Sequence, residues 1–330
     1  LRVKKPVKKE KPMTVSLAVR PKHLLAPPVR LEPAFDDPDG VVDLIKKGSP
    51  YKTLSAVHRA KGETSGGWFR NFWALGGNVI FDGAEPYFYN QRFIDAAKKS
   101  FKAEIIRPVA MMTNLNLPAE GLPYHQDLPF FRGAQNREVP SWMLAPMGYS
   151  GLFHDWAIPV ASAITWFYDG EGGEFEYWPD GLGAPSRTER PPYNNCCVLA
   201  DNEYMFHRVG SVGPRAEQHR YDNLGHDAKL ELTADNHWRV IDEGEEVALV
   251  DYGTVRLSVL WKGYCFKDEA EAEAYDDHSH DLTPELIKEI FCEDLLARGI
   301  KVSKPADFET DMAWKEVITS TYTPPTAEQE

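Results

Sequence analysis

The feature that most constrains the fold is a succession of short β-type runs between residues 105 and 268. The runs are rich in β-branched and aromatic residues, and Gly, Pro, Asn and Asp separate them. Examples are IIRPVAMMTNLNL, AIPVASAITWFYDG and TVRLSVLWKGYCF. Because no regular helical segments lie between them, they predict a sandwich, jelly roll or barrel rather than a sheet of alternating strands and helices. The predicted fold class is mainly β with flanking helices.

Three further regions surround this stretch. Residues 1–30, which begin LRVKKPVKKEKP, are typical of a basic, disordered tail, with an artificial leader or the remnant of a removed targeting segment as alternatives. Residues 31–104 predict helices and loops packed on the core, with a helix over 91–104 and a loop or short aromatic element in GGWFRNFWALGG. Residues 269–330 predict a C-terminal helix that begins after Thr283 and closes at Gly299, followed by a tail.

Charge and cysteine content narrow the functional class. A net charge of −13 argues against nucleic-acid binding as the main activity. The four cysteines form no CxxC pair, which indicates a cytoplasmic, reducing environment without a disulfide framework or a cysteine-based zinc site. No run of eighteen apolar residues occurs, so we expect no membrane span.

Five polar residues in strand-like settings suggest a reactive site. His125 and Asp127 are two apart in GLPYHQDLPFF, so on a strand their side chains share one face, as in a metal site or a simple His–Asp hydrogen bond. His207 ends a later run, and two histidines with one carboxylate leave coordination positions open, which suits non-haem Fe(II). Arg256 and Ser258 share a face in TVRLSVLW, where they would bind the far end of a dicarboxylate that chelates the metal.

This ordered set resembles the Fe(II)/2-oxoglutarate-dependent dioxygenases. Their HxD motif, distal His and Arg-x-Ser are matched by His125-Gln126-Asp127, by His207 and by Arg256-Leu257-Ser258. GGEFEYWPDG is similar to the family's middle hairpin, and VLADNEYMFHRVG to the strand that carries the second His. The resemblance covers about residues 105–265 and implies a double-stranded β-helix (jelly-roll, cupin-like) core over 105–268.

The interval between the distal His and the Arg is longer than the family pattern, so residues 211–250 are interpreted as an insertion. This interval makes other arginines alternatives to Arg256, although only Arg256 has a strand-like setting. The alternatives are Arg208, Arg215, Arg220 and Arg239.

The resemblance also implies chemistry. His125, Asp127 and His207 would bind Fe(II), and 2-oxoglutarate and O2 would be co-substrates, with 2-oxoglutarate oxidised to succinate and CO2. The implied reaction hydroxylates an unactivated C–H of a small molecule, amino-acid-like or a natural-product intermediate. The carboxylate of Asp127 favours hydroxylation over halogenation, while desaturation, ring formation and epimerisation use the same ligands and stay open.

Further residues are predicted around this centre. Asn114 and Asn116 alternate onto one face and need hydrogen-bond partners, which bound 2-oxoglutarate or substrate would supply. We assign Asn114, with Arg256 and Ser258, to the co-substrate. Residues assigned to the substrate are Arg107, Asn116, Arg132, Trp142 and Trp166, the last with a core position as the alternative. Two other functions remain open: a non-catalytic cupin-like metal- or ligand-binding protein, and an oxygenase acting on protein side chains.

Overall fold

The computed structural model describes residues 25–57, 66–134, 139–308 and 310–324. Most of the predicted basic tail, residues 1–24, and the last six residues therefore lie outside the described part. Within it, the chain is mostly β, with a large antiparallel sheet and several helices. The predicted fold class of a mainly β chain with flanking helices is confirmed at this level.

The strands are numbered in chain order. They are Val29–Leu31 (β1), Tyr51–Thr53 (β2), Trp68–Leu75 (β3), Asn78–Val79 (β4), Ile105–Asn116 (β5), Phe130–Phe131 (β6), Ala157–Ile158 (β7), Val160–Tyr168 (β8), Phe175–Trp178 (β9), Arg187–Glu189 (β10), Tyr193–Ala200 (β11), Phe206–Val209 (β12), Lys229–Leu232 (β13), His237–Asp242 (β14), Glu245–Asp251 (β15) and Arg256–Phe266 (β16).

The helices are numbered in the same way. They are Pro38–Lys47 (α1), Leu54–Val57 (α2), Glu85–Phe88 (α3), Gln91–Phe101 (α4), Ser141–Ser150 (α5), Glu269–Asp276 (α6), Pro284–Ala297 (α7) and Met312–Thr321 (α8). No helix among the described residues combines the length and apolar character needed to cross a bilayer.

One antiparallel sheet dominates the structure. Among the described residues its order is β1-β11-β8-β16-β5-β3-β2-β13-β14-β15, with β4 paired to β3. The long strands β5 and β16 run side by side over their whole length, in a register that pairs Asn116 with Arg256 and Asn114 with Ser258. A smaller sheet has the order β10-β9-β12, and β6 pairs with β7.

The two faces of the large sheet have different coverings. On one face, Leu115, Val259 and Trp261 pack in a core shared with α1 and α4. The indole of Trp261 donates to the carbonyl of Phe88 at 2.8 Å, which satisfies its buried N–H. Because side chains alternate along a strand, Asn114, Arg256 and their same-parity neighbours face the opposite side.

The opposite face shares an aromatic core with the smaller sheet. Trp166 of β8 lies 5.3 Å from Phe175 of β9 and 5.1 Å from Tyr193 of β11, between ring centroids. Phe175 in turn stacks on Tyr177, and the cluster extends to Met205 beside β12. The site described below lies on this face, between the two sheets.

A second core joins α5 to the C-terminal helices α7 and α8. Phe153, Phe291 and Trp314 are buried in it. The side chain of Thr283 accepts a hydrogen bond from the N–H of Leu286, and Gly299 has φ of +79°, so the predicted helix boundaries are confirmed. Two further helices, α6 and α8, flank α7, where the sequence predicted one helix and a tail.

The regions outside the predicted core also contribute strands. GGWFRNFWALGG was expected to form a loop or short element, but it forms β3, which pairs with β5 inside the large sheet. β1 falls partly within the predicted tail of residues 1–30 and pairs with β11. The interpreted insertion, 211–250, supplies β13 and β14 and most of β15, and these extend the sheet through β2.

Candidate metal centre

Three side chains predicted to bind metal come together between the sheets. A ligand atom from each of His125, Asp127 and His207 lies within 4.8 Å of the other two. Oδ1 of Asp127 is 3.8 Å from Nε2 of His207, and the two imidazole centroids are 4.5 Å apart. No other group of three His, Cys, Asp or Glu residues in the described part of the chain has this arrangement.

Backbone hydrogen bonds fix the orientation of both imidazoles. Nδ1 of His125 lies 2.9 Å from the carbonyl oxygen of Pro123, and Nδ1 of His207 lies 3.0 Å from that of Met205. Because a carbonyl oxygen only accepts, each Nδ1 carries the proton and donates it. In the neutral form of each imidazole, Nε2 then keeps a free lone pair, which is the form that binds a metal.

The segment before β12 holds the segment that carries Asp127. The backbone N–H of Asp127 donates to the carbonyl of Asn202 at 2.9 Å. The side-chain amide of Gln126 donates to the backbone carbonyl of Tyr204 at 2.6 Å. Tight-turn bonds from the N–H groups of Tyr204 and Met205 to the carbonyl of Asp201 shape this segment. The three candidate ligands thus sit on two chain segments that brace each other.

The protonation states at the centre suit metal binding. Burial favours the neutral form of Asp127, but the charge of Lys262, with Nζ 2.8 Å from Oδ2, and the nearby histidines outweigh it and hold the pKa of Asp127 well below its usual range. Burial lowers the pKa of His207, so this imidazole is neutral at neutral pH. Burial also raises the pKa of Glu203, the second partner of Lys262, to about 7. A carboxylate with a neutral imidazole is the deprotonated ligand set that a divalent metal requires.

Arg256 is a buried cation on the same face. Its Nε donates to the carbonyl of Gly173 at 2.8 Å, while its Nη2 has no hydrogen-bond partner among the described residues. The indole N–H of Trp166, whose residue pairs with Ser258 in the sheet, is also without a partner there. Burial lowers the pKa of Arg256 to about 10, which leaves it charged at neutral pH. Buried unsatisfied donors beside a cation favour an anionic ligand.

Gly173 makes the position of Arg256 possible. Its φ is +71°, and a Cβ at this residue would lie 2.7 Å from Cδ of Arg256. The glycine therefore supplies both a left-handed backbone and the space in which the arginine side chain packs.

Two side chains of β3 donate hydrogen bonds to the side chain of Asn114. Its Oδ1 accepts from Nε of Arg70 at 2.7 Å and from the indole of Trp68 at 3.3 Å. Ser258 is close by, with Oγ 3.5 Å from the carbonyl oxygen of Asn114. Trp68 and Arg70 were missed because their run was interpreted as a loop; their spacing of two residues was the available indication of a shared strand face.

A cavity of about 160 Å³ opens beside the two histidine-bearing segments. Trp68 and Asn116 of the large sheet line it, together with Leu122 and Val209. The side chain of Asn116, a residue that is 8% exposed, makes no hydrogen bond to the described residues. Asn116 is therefore a buried polar residue that lines this cavity.

Three residues assigned to the substrate lie elsewhere. Arg107 forms a two-pronged ion pair with Asp276 near the far end of β5, where its guanidinium covers the ring of Phe266. Arg132 donates to the carbonyls of Ser279 and Asp155. Trp142 packs on the α5–α7–α8 core, under Nζ of Lys315. Each of these side chains makes structural contacts with other parts of the chain, and its assignment to the substrate stays a prediction.

Trp166 has the core position that the sequence offered as the alternative to substrate contact. It is fully buried in the aromatic core, and its indole nitrogen has no hydrogen-bond partner among the described residues. Among the alternatives to Arg256, Arg208 pairs with Glu176, Arg220 with Glu217 and Arg239 with Glu246. Each of these three has a carboxylate partner, whereas Arg256 has none among the ion pairs of the described residues.

Comparison with known proteins gives no family assignment. No protein-family model matches the sequence, and no curated protein matches it. Solved structures that align with the chain include an oxidoreductase of the 2OG-Fe(II) oxygenase family from Burkholderia pseudomallei, at 12% identity, 72% coverage of this chain, 84% of that chain and a TM-score of 0.40. A prolyl-4-hydroxylase from Pseudomonas putida aligns at 12% identity, 74% and 94% coverage and a TM-score of 0.39.

The epimerase SnoN from nogalamycin biosynthesis aligns at 12% identity, with 72% of this chain and 77% of that chain covered and a TM-score of 0.40. Another structure of SnoN contains Fe3+ and α-ketoglutarate. At these values the alignments carry no weight for the activity of this chain, which is inferred below from its own side chains.

Proposed function

We propose that this chain is an Fe(II)- and 2-oxoglutarate-dependent oxygenase that hydroxylates an unactivated C–H of a small molecule. One observation carries the proposal. One ligand atom from each of His125, Asp127 and His207 lies within 4.8 Å of the other two, on the sheet face that also holds a buried arginine whose Nη2 has no hydrogen-bond partner among the described residues. The convergence provides a metal site, and the arginine provides a site for a carboxylate.

The donor set fits iron. Two imidazole nitrogens and one carboxylate oxygen form a three-ligand set that leaves positions open for further ligands, as in non-haem Fe(II) oxygenases. Bound there, the iron would supply the redox chemistry that couples oxidation of 2-oxoglutarate with O2 to substrate hydroxylation. The overall reaction is balanced: substrate C–H, O2 and 2-oxoglutarate give substrate C–OH, succinate and CO2.

Arg256 is the residue proposed to hold 2-oxoglutarate at its far carboxylate. Nη2 of Arg256 and the indole N–H of Trp166 would donate to that carboxylate, and the hydroxyl of Ser258 lies on the same face. The anion would satisfy two buried donors and neutralise a buried cation at once. Asn114, whose Oδ1 already accepts from Arg70, would orient this wall rather than bind the co-substrate directly.

The arrangement of the strands supports a double-stranded β-helix. β9 and β12 of the smaller sheet pack against β8 and β16 of the large sheet. Trp166, Phe175 and Tyr193 pack between the two sheets. This aromatic packing keeps bulk water from the arginine end of the site. A dry site strengthens the electrostatic contacts made there.

The substrate proposed for the cavity is a small molecule. Asn116 would hydrogen-bond it, and the indole of Trp68 and the apolar side chains of Leu122 and Val209 would pack against it. This assignment places the substrate beside the two histidine-bearing segments, away from Arg107, Arg132 and Trp142.

All four cysteines are free thiols, which agrees with a reducing, cytoplasmic setting where Fe(II) persists.

An anaerobic titration tests the proposal. Purified apoprotein receives Fe(II) and then 2-oxoglutarate, and the weak visible charge-transfer band of a chelated keto acid is recorded. We expect the band in the wild type, its loss in His207→Ala, and a need for more 2-oxoglutarate in Arg256→Ala. His237→Ala and Arg208→Ala, which alter partly exposed residues outside the site, serve as matched controls.

The outcomes distinguish a small-molecule oxygenase, an oxygenase acting on protein side chains and a non-catalytic binding protein. A band followed by succinate formation on exposure to O2 with small-molecule candidates supports a small-molecule oxygenase, whereas succinate formed only with peptides would indicate action on protein side chains. Tight iron binding without a band or succinate would overturn the proposal in favour of a non-catalytic, cupin-like binding protein.

A further inference from the structure

A buried lysine contacts the carboxylate of the metal centre. Lys262 lies on β16, six residues after Arg256 and on the same face. Its Nζ is 2.8 Å from Oδ2 of Asp127 and 2.7 Å from Oε1 of Glu203. The side chains of Lys262 and Glu203 are 12% and 2% exposed. Lysine is rarely buried so deeply unless its charge is paired, so the contact needs an explanation.

The two oxygens of Asp127 have different partners. Oδ1 faces Nε2 of His207 at 3.8 Å, and Oδ2 accepts from Lys262. A carboxylate that is free to rotate can bind a metal through one oxygen or through both. With Oδ2 committed to an ammonium, Oδ1, which lies 3.8 Å from Nε2 of His207, is the oxygen left for a metal.

We propose that Lys262 is a positioning residue that holds Asp127 as a one-oxygen metal ligand, with Glu203 as the counter-charge that makes this possible. The inference rests on the proposed function for the presence of a metal. An ammonium alone beside Asp127 would compete with the metal for the carboxylate's charge. Glu203, on the other side of Nζ, offsets that charge and leaves the ligand carboxylate anionic.

The same ammonium ties three parts of the chain together. Asp127 belongs to the segment that carries His125, and Glu203 to the turn that leads to His207. Lys262 belongs to the strand that begins with Arg256. One side chain therefore sets the distance between the metal ligands and the strand that holds the proposed co-substrate site. Groups that orient metal ligands in this way typically change metal affinity or activity by roughly 10- to 100-fold when they are removed.

The test measures metal affinity, which does not depend on turnover. Apoprotein is titrated anaerobically with Co2+ at pH 8, where Glu203 is ionised, and the visible cobalt spectrum is recorded. We expect Lys262→Met to weaken Co2+ binding roughly 10- to 100-fold and to alter the spectrum, because Asp127 is then free to bind through both oxygens. Lys262→Arg, which keeps a donor to Oδ2, should retain more affinity than Lys262→Met.

Two further variants distinguish a specific loss of Co2+ binding from a loss caused by misfolding. Lys262→Met/Glu203→Gln removes both charges, so no buried carboxylate is stranded, and we expect it to fold and still bind Co2+ weakly. Lys288→Met removes another buried lysine, 3.1 Å from Glu285 on α7, and should bind Co2+ like the wild type. Wild-type affinity and spectrum in a folded double variant would overturn the inference alone, whereas a wild type that binds neither Co2+ nor Fe(II) would overturn the proposed function with it.

Discussion

His125 and His207 face each other across a two-residue antiparallel bridge and exchange both backbone hydrogen bonds, with N···O distances of 2.9 and 3.0 Å. This pairing joins residues that are far apart in sequence and aligns their rings side by side. Each ring is then turned by the carbonyl two residues before it. The two candidate nitrogen ligands are therefore positioned by backbone groups.

Metal addition should stabilise the wild type and leave the ligand variants unchanged. A ligand that binds only the folded state adds about 2.7 kcal/mol at 100 times its Kd. We expect Co2+ to raise the melting temperature of the wild type and not that of His125→Ala or His207→Ala. Thermal unfolding with and without Co2+ measures this, with His237→Ala as the control. Equal shifts in all four proteins would mean that the metal binds elsewhere.

Replacing Arg256 should weaken 2-oxoglutarate binding without unfolding the apoprotein. Arg256→Met removes a charged donor, and hydrogen bonds to charged groups contribute about 1.5–3 kcal/mol, so the dissociation constant should rise roughly 10- to 100-fold. The apoprotein should stay within about 1 kcal/mol of the wild type, because the lost bond to Gly173 is offset by relief of a buried, unneutralised charge. Titration of the Fe(II) protein and denaturant unfolding of the apoprotein measure the two quantities.

Arg208→Met is the control for Arg256→Met, since Arg208 is a partly exposed arginine paired with Glu176. It should change neither quantity. Unaltered 2-oxoglutarate binding in Arg256→Met, together with a large loss of stability, would make Arg256 a structural residue.

A methyl group at Gly173 should displace the side chain of Arg256. Gly173→Ala forces a side chain onto a φ of +71° and places Cβ 2.7 Å from Cδ of Arg256. Gly244→Ala has the same kind of backbone strain at a φ of +87°, with no atom within 4 Å of the new Cβ. We expect both variants to lose about 1 kcal/mol to strain, and only Gly173→Ala to lose 2-oxoglutarate affinity. Equal affinity in both would contradict the proposed position of the co-substrate.

His207 should make a contribution to the folding stability of the apoprotein that decreases below about pH 6.5. Burial lowers the pKa of folded His207 from an ordinary value of 6.5, so near and below that pH the unfolded chain binds more protons than the folded one. His207 therefore favours folding above pH 6.5, and its contribution falls as pH falls through the folded pKa. Denaturant unfolding of the apoprotein at pH 7.5 and 5.5 should show a smaller decrease for His207→Gln than for the wild type.

His219 supplies a control of opposite sign. The hydrogen bond that His219 donates to Asp222 and the nearby charge of Glu120 raise the pKa of His219, so its contribution is present below pH 6.5 and lost as pH rises through the folded pKa. His219→Gln should therefore show a slightly steeper decrease at low pH than the wild type. A His207→Gln decrease as large as that of the wild type would mean that this imidazole is not buried in the neutral form.

Two pairs of candidate metal and co-substrate ligands could be predicted from sequence because each pair lies two residues apart within one short segment. His125 and Asp127 share a strand face by alternation, and Arg256 and Ser258 do the same in a clear β-type run. Arg107 was assigned to the substrate because the strand was taken as a whole, yet seven residues separate it from Asn114, about 23 Å of extended chain. That length places it near the other end of the sheet, beside Asp276.

Other features depend on contacts that no local pattern carries. β3 has apolar residues directed to both sides, with Phe69 and Trp73 in the helix-covered core and Trp68 at the cavity, so it lacks the alternation that identifies a strand. Lys262 has the pattern of any polar residue in a strand. Its two partners, Asp127 and Glu203, are 135 and 59 positions away, and only the folded sheet brings them to its ammonium.

The backbone-held histidines have a consequence for how the protein matures. Because the carbonyls of Pro123 and Met205 orient both rings, the proposed metal site would form as the chain folds, and the metal would bind afterwards. Such a ready-made site does not choose its metal by affinity, since nitrogen and oxygen ligands bind Co2+, Ni2+ and Cu2+ more tightly than Fe2+. The identity of the bound ion would then be decided by which metal the cell delivers to the finished protein.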